Sequence, residues 1–337
     1  MRGQVYKIFS DFYYVNTNEG SVECKLRDVL KKKSENVIVG DFVTLESVTE
    51  NKTQAFISGV LPRKNFLSRP KVANISCAII VSSLRNPDFD FEQLNRYIAL
   101  CEYHKIKPVL CFNKTDLNDD EDFVKNIQKI YQNLGYRTFF ISALLNHGIK
   151  EIEKLFNGEL AILCGASGVG KSTLINDLTN NSFNLQTKTV SHKTKRGVHT
   201  TRHCEIYKIN ENSSIVDTPG FSNVKFDFLL PKDVQKLFPE FITFKGCKFK
   251  DCLHIRENGC EVIKNIDKIA PSRYESYKKF VNEAFEYKQK LTFEGNKRES
   301  SFKINKGIEI AKLSENKRSF SRKLIKQNVL KTEVENG

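Results

Sequence analysis

Apolar and polar residues alternate at Val22, Cys24 and Leu26, and short apolar runs follow at 37–39, 42–45 and 56–60, with Gly20 and the Gly40-Asp41 pair between them. Period-two alternation interrupted by turn residues predicts β-strands. Five or so short strands within residues 1–68 predict a small all-β barrel. The stretch LPRKNFLSRPKVANIS (61–76) is basic, carries two prolines and reads as a connector. Beyond it the rhythm changes: the apolar segments CAIIVSSL, PVLCF and RTFFISAL alternate with the amphipathic segments FEQLNRYIALCEYH and EDFVKNIQKIYQNLG. That alternation predicts an α/β domain with a largely parallel sheet. A third region, from about residue 226, holds a tight Cys/His cluster and then PSRYESYKKFVNEAFEY. There Tyr274, Tyr277, Val281, Ala284 and Phe285 recur at helical spacing behind Pro271. The expected organisation is a barrel over 1–68, an α/β domain over 69–225, a helical metal-binding module over 226–287 and a tail over 288–337.

Charge changes the picture of the tail and of the partners. The tail holds 13 Lys+Arg against 6 Glu and no Asp, and reads as a basic arm, mobile or marginally helical. The whole chain of 337 residues carries 54 Lys+Arg against 40 Asp+Glu, a net charge of +14. Such an excess predicts a polyanionic partner. A membrane-spanning role is disfavoured, because no apolar run approaches the ~18 residues that a spanning helix needs. MRGQVYKIFS has no apolar signal-peptide core, and nine cysteines are an odd count for a disulfide framework. The expected setting is therefore the cytoplasm, with reduced thiols and, by default, a monomer.

Residues 165–173, GASGVGKST, match the phosphate-loop pattern, with Gly165, Gly170, Lys171 and Ser172 in register between the apolar strand LAILC and the helix KSTLINDLT. Backbone N–H groups across Gly165, Ala166, Ser167, Gly168, Val169, Gly170 and Thr173 would cradle phosphates, Lys171 would neutralise them and Ser172 would ligate Mg²⁺. SIVDTPG (214–220) brings Asp217 to the Mg²⁺ shell and Gly220 to the γ-phosphate. NKTD (113–116) supplies Asp116 for the N1 and N2 donors of guanine, with Asn113 and Lys114 steadying the base region and Ser142-Ala143 as a last base-contacting loop. Adenine lacks that donor pair, so GTP is the expected nucleotide. The base motif precedes the phosphate loop in the chain. Loops meet according to strand position in the sheet, so a chain rejoined at its usual ends and reopened elsewhere builds the same site. The motif order therefore predicts a circularly permuted GTPase.

The segment 189–207 is polar, basic and interrupted by glycine, as a switch would be, and Thr200 or Thr201 is the candidate to close over Mg²⁺. Phe221 follows DTPG, where Ras-like enzymes place a water-orienting glutamine nearby. His199 is either the group that replaces it or an ordinary polar switch residue. Farther on, CKFKDCLHIRENGC (247–260) offers Cys247, Cys252, His254 and Cys260 at C-x4-C-x-H-x5-C. Three thiolates and one imidazole suit a closed, structural, tetrahedral Zn²⁺ site.

The succession of barrel, basic connector, NKTD, GASGVGKST, RGVHTT, DTPGF and the Cys₃His spacing resembles the bacterial small ribosomal subunit biogenesis GTPase A family over about residues 1–287. The resemblance implies an N-terminal OB-fold, a central permuted GTPase domain and a C-terminal zinc-binding domain. It further implies late maturation of the small (30S) ribosomal subunit as the task, and GTP hydrolysis stimulated by that subunit. It assigns the histidine before the paired threonines, here His199, a catalytic role. Val198 fills a position often polar in the family, and the basic tail lies outside the common core. Independently of it, an OB barrel is a common oligonucleotide platform. Arg63, Lys64, Arg69 and Lys71, the basic metal module and the basic tail add to a case for structured RNA. Two other functions remain open on the residues alone: a P-loop kinase or ATPase, which leaves NKTD without a task, and an RNA-binding module with a vestigial nucleotide site.

Overall fold

The structure is a computed structural model. It describes residues 1–28, 30, 36–46, 54–68, 70–155, 160–179, 205–210, 213–217, 225–293, 302–305 and 308–311. Two compact units divide the chain, Met1–Tyr287 and Lys288–Gly337.

The first unit opens with five strands, β1 (Arg2–Phe9), β2 (Phe12–Thr17), β3 (Gly20–Leu26), β4 (Phe42–Glu46) and β5 (Gln54–Val60), closed into a barrel in the order β1-β2-β3-β5-β4. Only the β3–β5 pairing is parallel. Alternate residues, Val5, Val15, Val22, Cys24, Val43, Leu45, Ala55 and Ile57, fill the interior, as the period-two pattern requires. The run 37–39 forms no strand. Ile38 N–H donates to the buried Asp41 carboxylate (2.8 Å), and Val39 makes an isolated bridge to Val72. The basic connector is more structured than its prolines suggest: β6 (Phe66–Ser68) and β7 (Lys71–Ala73) pair as a hairpin, and Arg63 grips Asp41 at 2.6 Å.

A six-stranded sheet follows, built from β8 (Cys77–Ser83), β9 (Lys107–Asn113), β10 (Arg137–Phe140), β11 (Leu160–Gly165), β12 (Ile206–Lys208) and β13 (Ser214–Asp217), in the spatial order β10-β9-β8-β11-β13-β12. All pairs are parallel except β12–β13. Both faces are covered, by α1 (Phe91–His104) and α2 (Glu121–Asn133) on one side and by α3 (Ile149–Glu153) and α4 (Lys171–Leu178) on the other. Strand alternation sorts the two cores: Ala78, Ile80, Ile162 and Cys164 meet the first layer, Ile79, Val81, Ala161 and Leu163 the second. Asp90 and Asp120 accept the Gln93 and Phe123 N–H groups, capping α1 and α2.

The remainder of this unit includes α5 (Pro231–Val234), α6 (Glu261–Lys264) and the long α7 (Pro271–Phe293) as far as Tyr287, around a core that includes Phe226, Phe238, Tyr277, Phe280 and Val281. Its joint with the sheet domain includes a buried polar network. Arg273, fully buried, donates to Glu240 at 2.7 and 3.0 Å and to Asn95 of α1 at 3.1 Å, and the same Asn95 side chain accepts from Tyr131 and donates to Ser276. Within the second unit, β14 (Phe302–Asn305) and β15 (Ile308–Ala311) pair antiparallel. The arm was expected to be mobile or marginally helical. In 302–311, FKINKGIEIA, apolar residues alternate on either side of a Lys-Gly pair, which suits a hairpin instead. No helix among the described residues is long and apolar enough to cross a membrane.

Truncating Glu240 to Ala would leave the Arg273 guanidinium buried without its counter-charge, and breaking such a pair costs about 3–5 kcal/mol. Urea unfolding of Glu240→Ala should show a loss of that size, against less than about 1 kcal/mol for the exposed Lys125→Ala.

Candidate nucleotide site and metal centre

Strand β11 delivers Gly165 and helix α4 starts at Lys171, so the phosphate-loop residues form the turn between them. Gly165 has φ +148°, and a Cβ there would lie 2.2 Å from the Val81 carbonyl oxygen of the adjoining strand. At Gly170, with φ +99°, a Cβ would lie 2.2 Å from Nδ2 of Asn113. The second contact explains why the loop needs glycine there: the base motif passes directly against it. Lys171 Nζ donates to the carbonyls of Gly165 (2.9 Å) and Ala166 (2.6 Å), which keeps its charge over the loop. Ser172 and Thr173 occupy the first turn of α4 and are half-buried, Ser167 is exposed and Val169 is buried.

Asn113, only 2% exposed, ties three loops together. Its Nδ2 donates to the Val169 carbonyl at 2.8 Å, while Oδ1 accepts from the N–H groups of Lys114 (2.8 Å) and Ala143 (3.0 Å). Lys114, in the left-handed region at φ 64°, turns its ammonium back to the carbonyls of Gly168 (2.8 Å) and Asn86. Burial lowers its pKa, opposed by the neighbouring Asp116 carboxylate. Asp116 is exposed, and its Oδ1 accepts from the buried Ser142 hydroxyl at 2.5 Å. Ser142 is fixed in turn by paired backbone bonds with His147 at 3.1 and 2.9 Å. Asn113, Lys114, Asp116, Ser142, Ala143 and the phosphate loop, far apart in sequence, therefore converge on one end of the sheet. That end lies at the carboxyl edge of parallel strands, where β8 and β11 lead to opposite sides, the usual ligand crevice of such sheets.

Parallel pairing sets Asp217 level with Leu163, two residues before Gly165. His199, Thr200, Thr201, Gly220 and Phe221 lie outside the described residues. The end of the expected switch segment, Ile206 and Tyr207, is strand β12 paired with β13.

In the third region, Sγ of Cys247, Cys252 and Cys260 and a ring nitrogen of His254 lie within 4.8 Å of one another. His254 Nδ1 is 3.3 Å from Cys260 Sγ and 3.7 Å from Cys247 Sγ, and the two sulfurs are 4.0 Å apart. A tetrahedron with Zn–S of about 2.3 Å needs sulfurs about 3.8 Å apart, so the set fits one zinc ion. Its surroundings are arranged for ligation. His254 Nε2 faces Gln235 Oε1 at 2.7 Å; donation there leaves the Nδ1 lone pair for metal. Burial also lowers the His254 pKa, favouring the neutral ring. Backbone N–H groups of Glu261 and Ile263 point at the sulfurs of Cys247 and Cys260. Glu257 gathers the N–H groups of Leu253, Ile255 and Arg256, and the hydroxyls of Tyr277 and Tyr274 donate to the carbonyls of Leu253 and His254. Sequence spacing singled out the four Cys and His residues that the structure brings together. Gln235 carried no signal, being twelve residues upstream of the cluster in an unremarkable helical segment.

Comparison with known proteins agrees with this geometry. The family model described as the RsgA N-terminal domain matches residues 2–57, and that of the RsgA GTPase matches residues 60–227. A small ribosomal subunit biogenesis GTPase RsgA from Clostridium kluyveri (strain NBRC 12016) is 39% identical over 286 residues, covering 84% of this chain and 98% of the relative. The protein of that name from Clostridium botulinum (strain Eklund 17B / Type B) is 40% identical over 290 residues, covering 85% and 98%. Among solved structures, YjeQ from Thermotoga maritima superposes with a TM-score of 0.73 at 31% identity, covering 84% of this chain and 98% of that one. YloQ, described as a circularly permuted GTPase, gives 0.70 at 27%, covering 85% and 95%. With the base motif ahead of the phosphate loop and both meeting at Asn113, the chain belongs to the RsgA family of circularly permuted GTPases, enzymes that hydrolyse GTP with Mg²⁺.

Proposed function

We propose that this GTPase acts, as a cytoplasmic monomer, in late maturation of the 30S ribosomal subunit. It binds the subunit and its rRNA in the GTP state, is stimulated there and leaves after hydrolysis. The observation that carries the nucleotide part is the Asn113 junction, which gives NKTD a place beside the phosphate loop that a kinase or ATPase would not need. The ribosomal part rests on the relatives' names, and the +14 charge suits an RNA surface. Asp116 reads guanine, Lys171 and the loop amides hold the phosphates, Ser172, Asp217 and Thr200 or Thr201 serve Mg²⁺, and Gly220 senses the γ-phosphate. Cys247, Cys252, His254 and Cys260 hold one structural Zn²⁺.

Replacing Asp116 with Asn presents an amide donor to the guanine N1 donor, whereas xanthine offers an acceptor at C2. Nucleotide titrations of Asp116→Asn should show affinity moving from GTP toward XTP; undiminished GTP binding with no gain for XTP would sink the base assignment.

For the metal, elemental analysis of chain purified without chelator should find about one Zn²⁺ per molecule. Gln235→Leu, which removes the partner of His254 Nε2, should weaken zinc affinity by about 10–100-fold in a chelator competition while GDP binding persists. Zinc-free protein would refute the site.

His199 is the catalytic candidate, because Phe221 offers no hydrogen bond to water. His199→Ala should lower subunit-stimulated GTP turnover by about two to three orders of magnitude, leave GTP affinity nearly unchanged and prolong residence on the subunit. Turnover assayed with GTP and ATP, with and without purified small subunits, checks both this and the larger reading. Equal use of ATP would favour a general NTPase, and a stimulated rate unaffected by the substitution would make His199 a bystander.

A further inference from the structure

Strand β8 lies between β9, which carries the base motif, and β11, which carries the phosphate loop, and the turn leaving its carboxyl end, residues 84–88, matches no nucleotide-binding motif. The turn is nevertheless bonded into the site. Ser83, the last residue of β8, is level with Asn113 in the parallel register, and the N–H of Leu84 donates to the Asn113 carbonyl at 3.1 Å. The Asn86 carbonyl accepts from the Lys114 ammonium, which also reaches the Gly168 carbonyl of the phosphate loop at 2.8 Å. Three loops therefore meet at one ammonium. Asn86 stands at φ 48°, a left-handed conformation that asparagine tolerates better than most residues. Leu84 anchors the turn upstream in the sheet core, and Phe89 anchors it downstream, edge-on to Phe91 at 4.8 Å and Phe123 at 5.6 Å. Residues 85–88 between these anchors are exposed. One short bond crosses them: the hydroxyl of Ser83, itself only 2% exposed, donates to the Pro87 carbonyl at 2.7 Å. It closes 83–87 on itself and fixes the carbonyl next along the chain from that of Asn86.

A lysine ammonium has three donors and no acceptor, so the carbonyls around it set its direction. We propose that Ser83 is a positioning residue for guanine-nucleotide binding. By holding Pro87 it keeps the Asn86 carbonyl against Lys114, and the anchored ammonium ties NKTD to the phosphate loop at a second point beside the Asn113 bond to Val169. The inference rests on the role given to NKTD under the proposed function. Without the Ser83 hydroxyl the ammonium keeps the Gly168 carbonyl and loses a fixed second anchor, so ordering of the loops is left to nucleotide binding and weakens it. The hydroxyl acts on the base side of the site. Its loss therefore falls on GDP and GTP affinity alike, through faster dissociation, and leaves kcat in place.

The test compares GDP affinity and off-rate, GTP kcat and KM, and thermal midpoint in full-length Ser83→Ala, Ser83→Thr, Lys114→Met and the Ser83→Ala/Lys114→Met double variant. Ser83→Ala should raise the GDP dissociation constant and the GTP KM about three- to tenfold, the net worth of one hydrogen bond, with kcat within about twofold. Ser83→Thr keeps the hydroxyl and should restore most of the affinity. In the Lys114→Met background Ser83→Ala should add less than about twofold, because the serine acts through the ammonium. Ser276→Ala controls for lost stability: its buried hydroxyl makes an equal 2.7 Å bond to the Ser272 carbonyl in α7, and removing it should lower the thermal midpoint with GDP affinity unchanged. Parent-like GDP affinity in Ser83→Ala, an equal loss in Ser276→Ala, or an undiminished Ser83→Ala effect beside Lys114→Met would overturn the positioning role. Should Ser83→Ala fail to fold, Ser83→Cys replaces it, since a thiol is a weak donor, and parent-like affinity there overturns the role equally. A parent chain that binds no GDP, or an Asp116→Asn variant that binds it as tightly as the parent, defeats the reading of NKTD; a GDP-binding parent weakened by Asp116→Asn but not by Ser83→Ala defeats this inference alone.

Discussion

One buried carboxamide organises the nucleotide end of the molecule. Asn113 spends its donor on the phosphate loop and its acceptor on the base motif and the Ser142-Ala143 loop. An amide suits this junction because it offers a donor and an acceptor on a short rigid stem. Aspartate would lose the donor to Val169, and Gly170 has no Cβ because that side chain occupies the space. The loops are thus constrained by one another as well as by their strands.

That constraint accounts for the tolerance of the fold to its chain order. β9, which carries Asn113, and β11, which carries the phosphate loop, are separated by β8 in the sheet and by a long stretch of chain that includes β10 and α3. What must be conserved physically is the spatial order and parallel direction of the strands. Reopening the chain between β13 and β8 preserves both, and it leaves β13 feeding the α7 module instead of the next strand of the sheet.

Much of this was legible beforehand, for identifiable reasons. The phosphate loop, NKTD and the Cys₃His cluster are local patterns, so the four clustered Cys and His residues and the loop residues could be named from spacing. The barrel was visible through the alternation in β3 to β5, while the run 37–39 misled because its apolar side chains serve a turn organised by Asp41. The β6–β7 hairpin was hidden by its prolines and charge, and the tail hairpin by its net charge. Gln235, Asn95 and Glu283 were invisible for a different reason: each is an ordinary polar residue whose partner lies far away in sequence, and no local pattern marks such a pairing. His199 and the paired threonines remain where the sequence put them, as proposals.

Helix α1 shows how the two halves of the first unit communicate their geometry. Leu94, Ile98 and Cys101 pack on the sheet, while Ala99 joins the core of the α7 module and Asn95 and Arg96 present their polar groups to α7. An apolar joint would tolerate sliding; a buried Arg273–Glu240 pair beside an Asn95 hub does not, because a shift leaves charges and amides desolvated without partners. Such pairs add little net stability over a hydrophobic interface, and their physical effect is to select one register. The selected register is the one that sets Glu283 of α7 between Arg96 of the helix that seals the sheet and the Phe226 N–H.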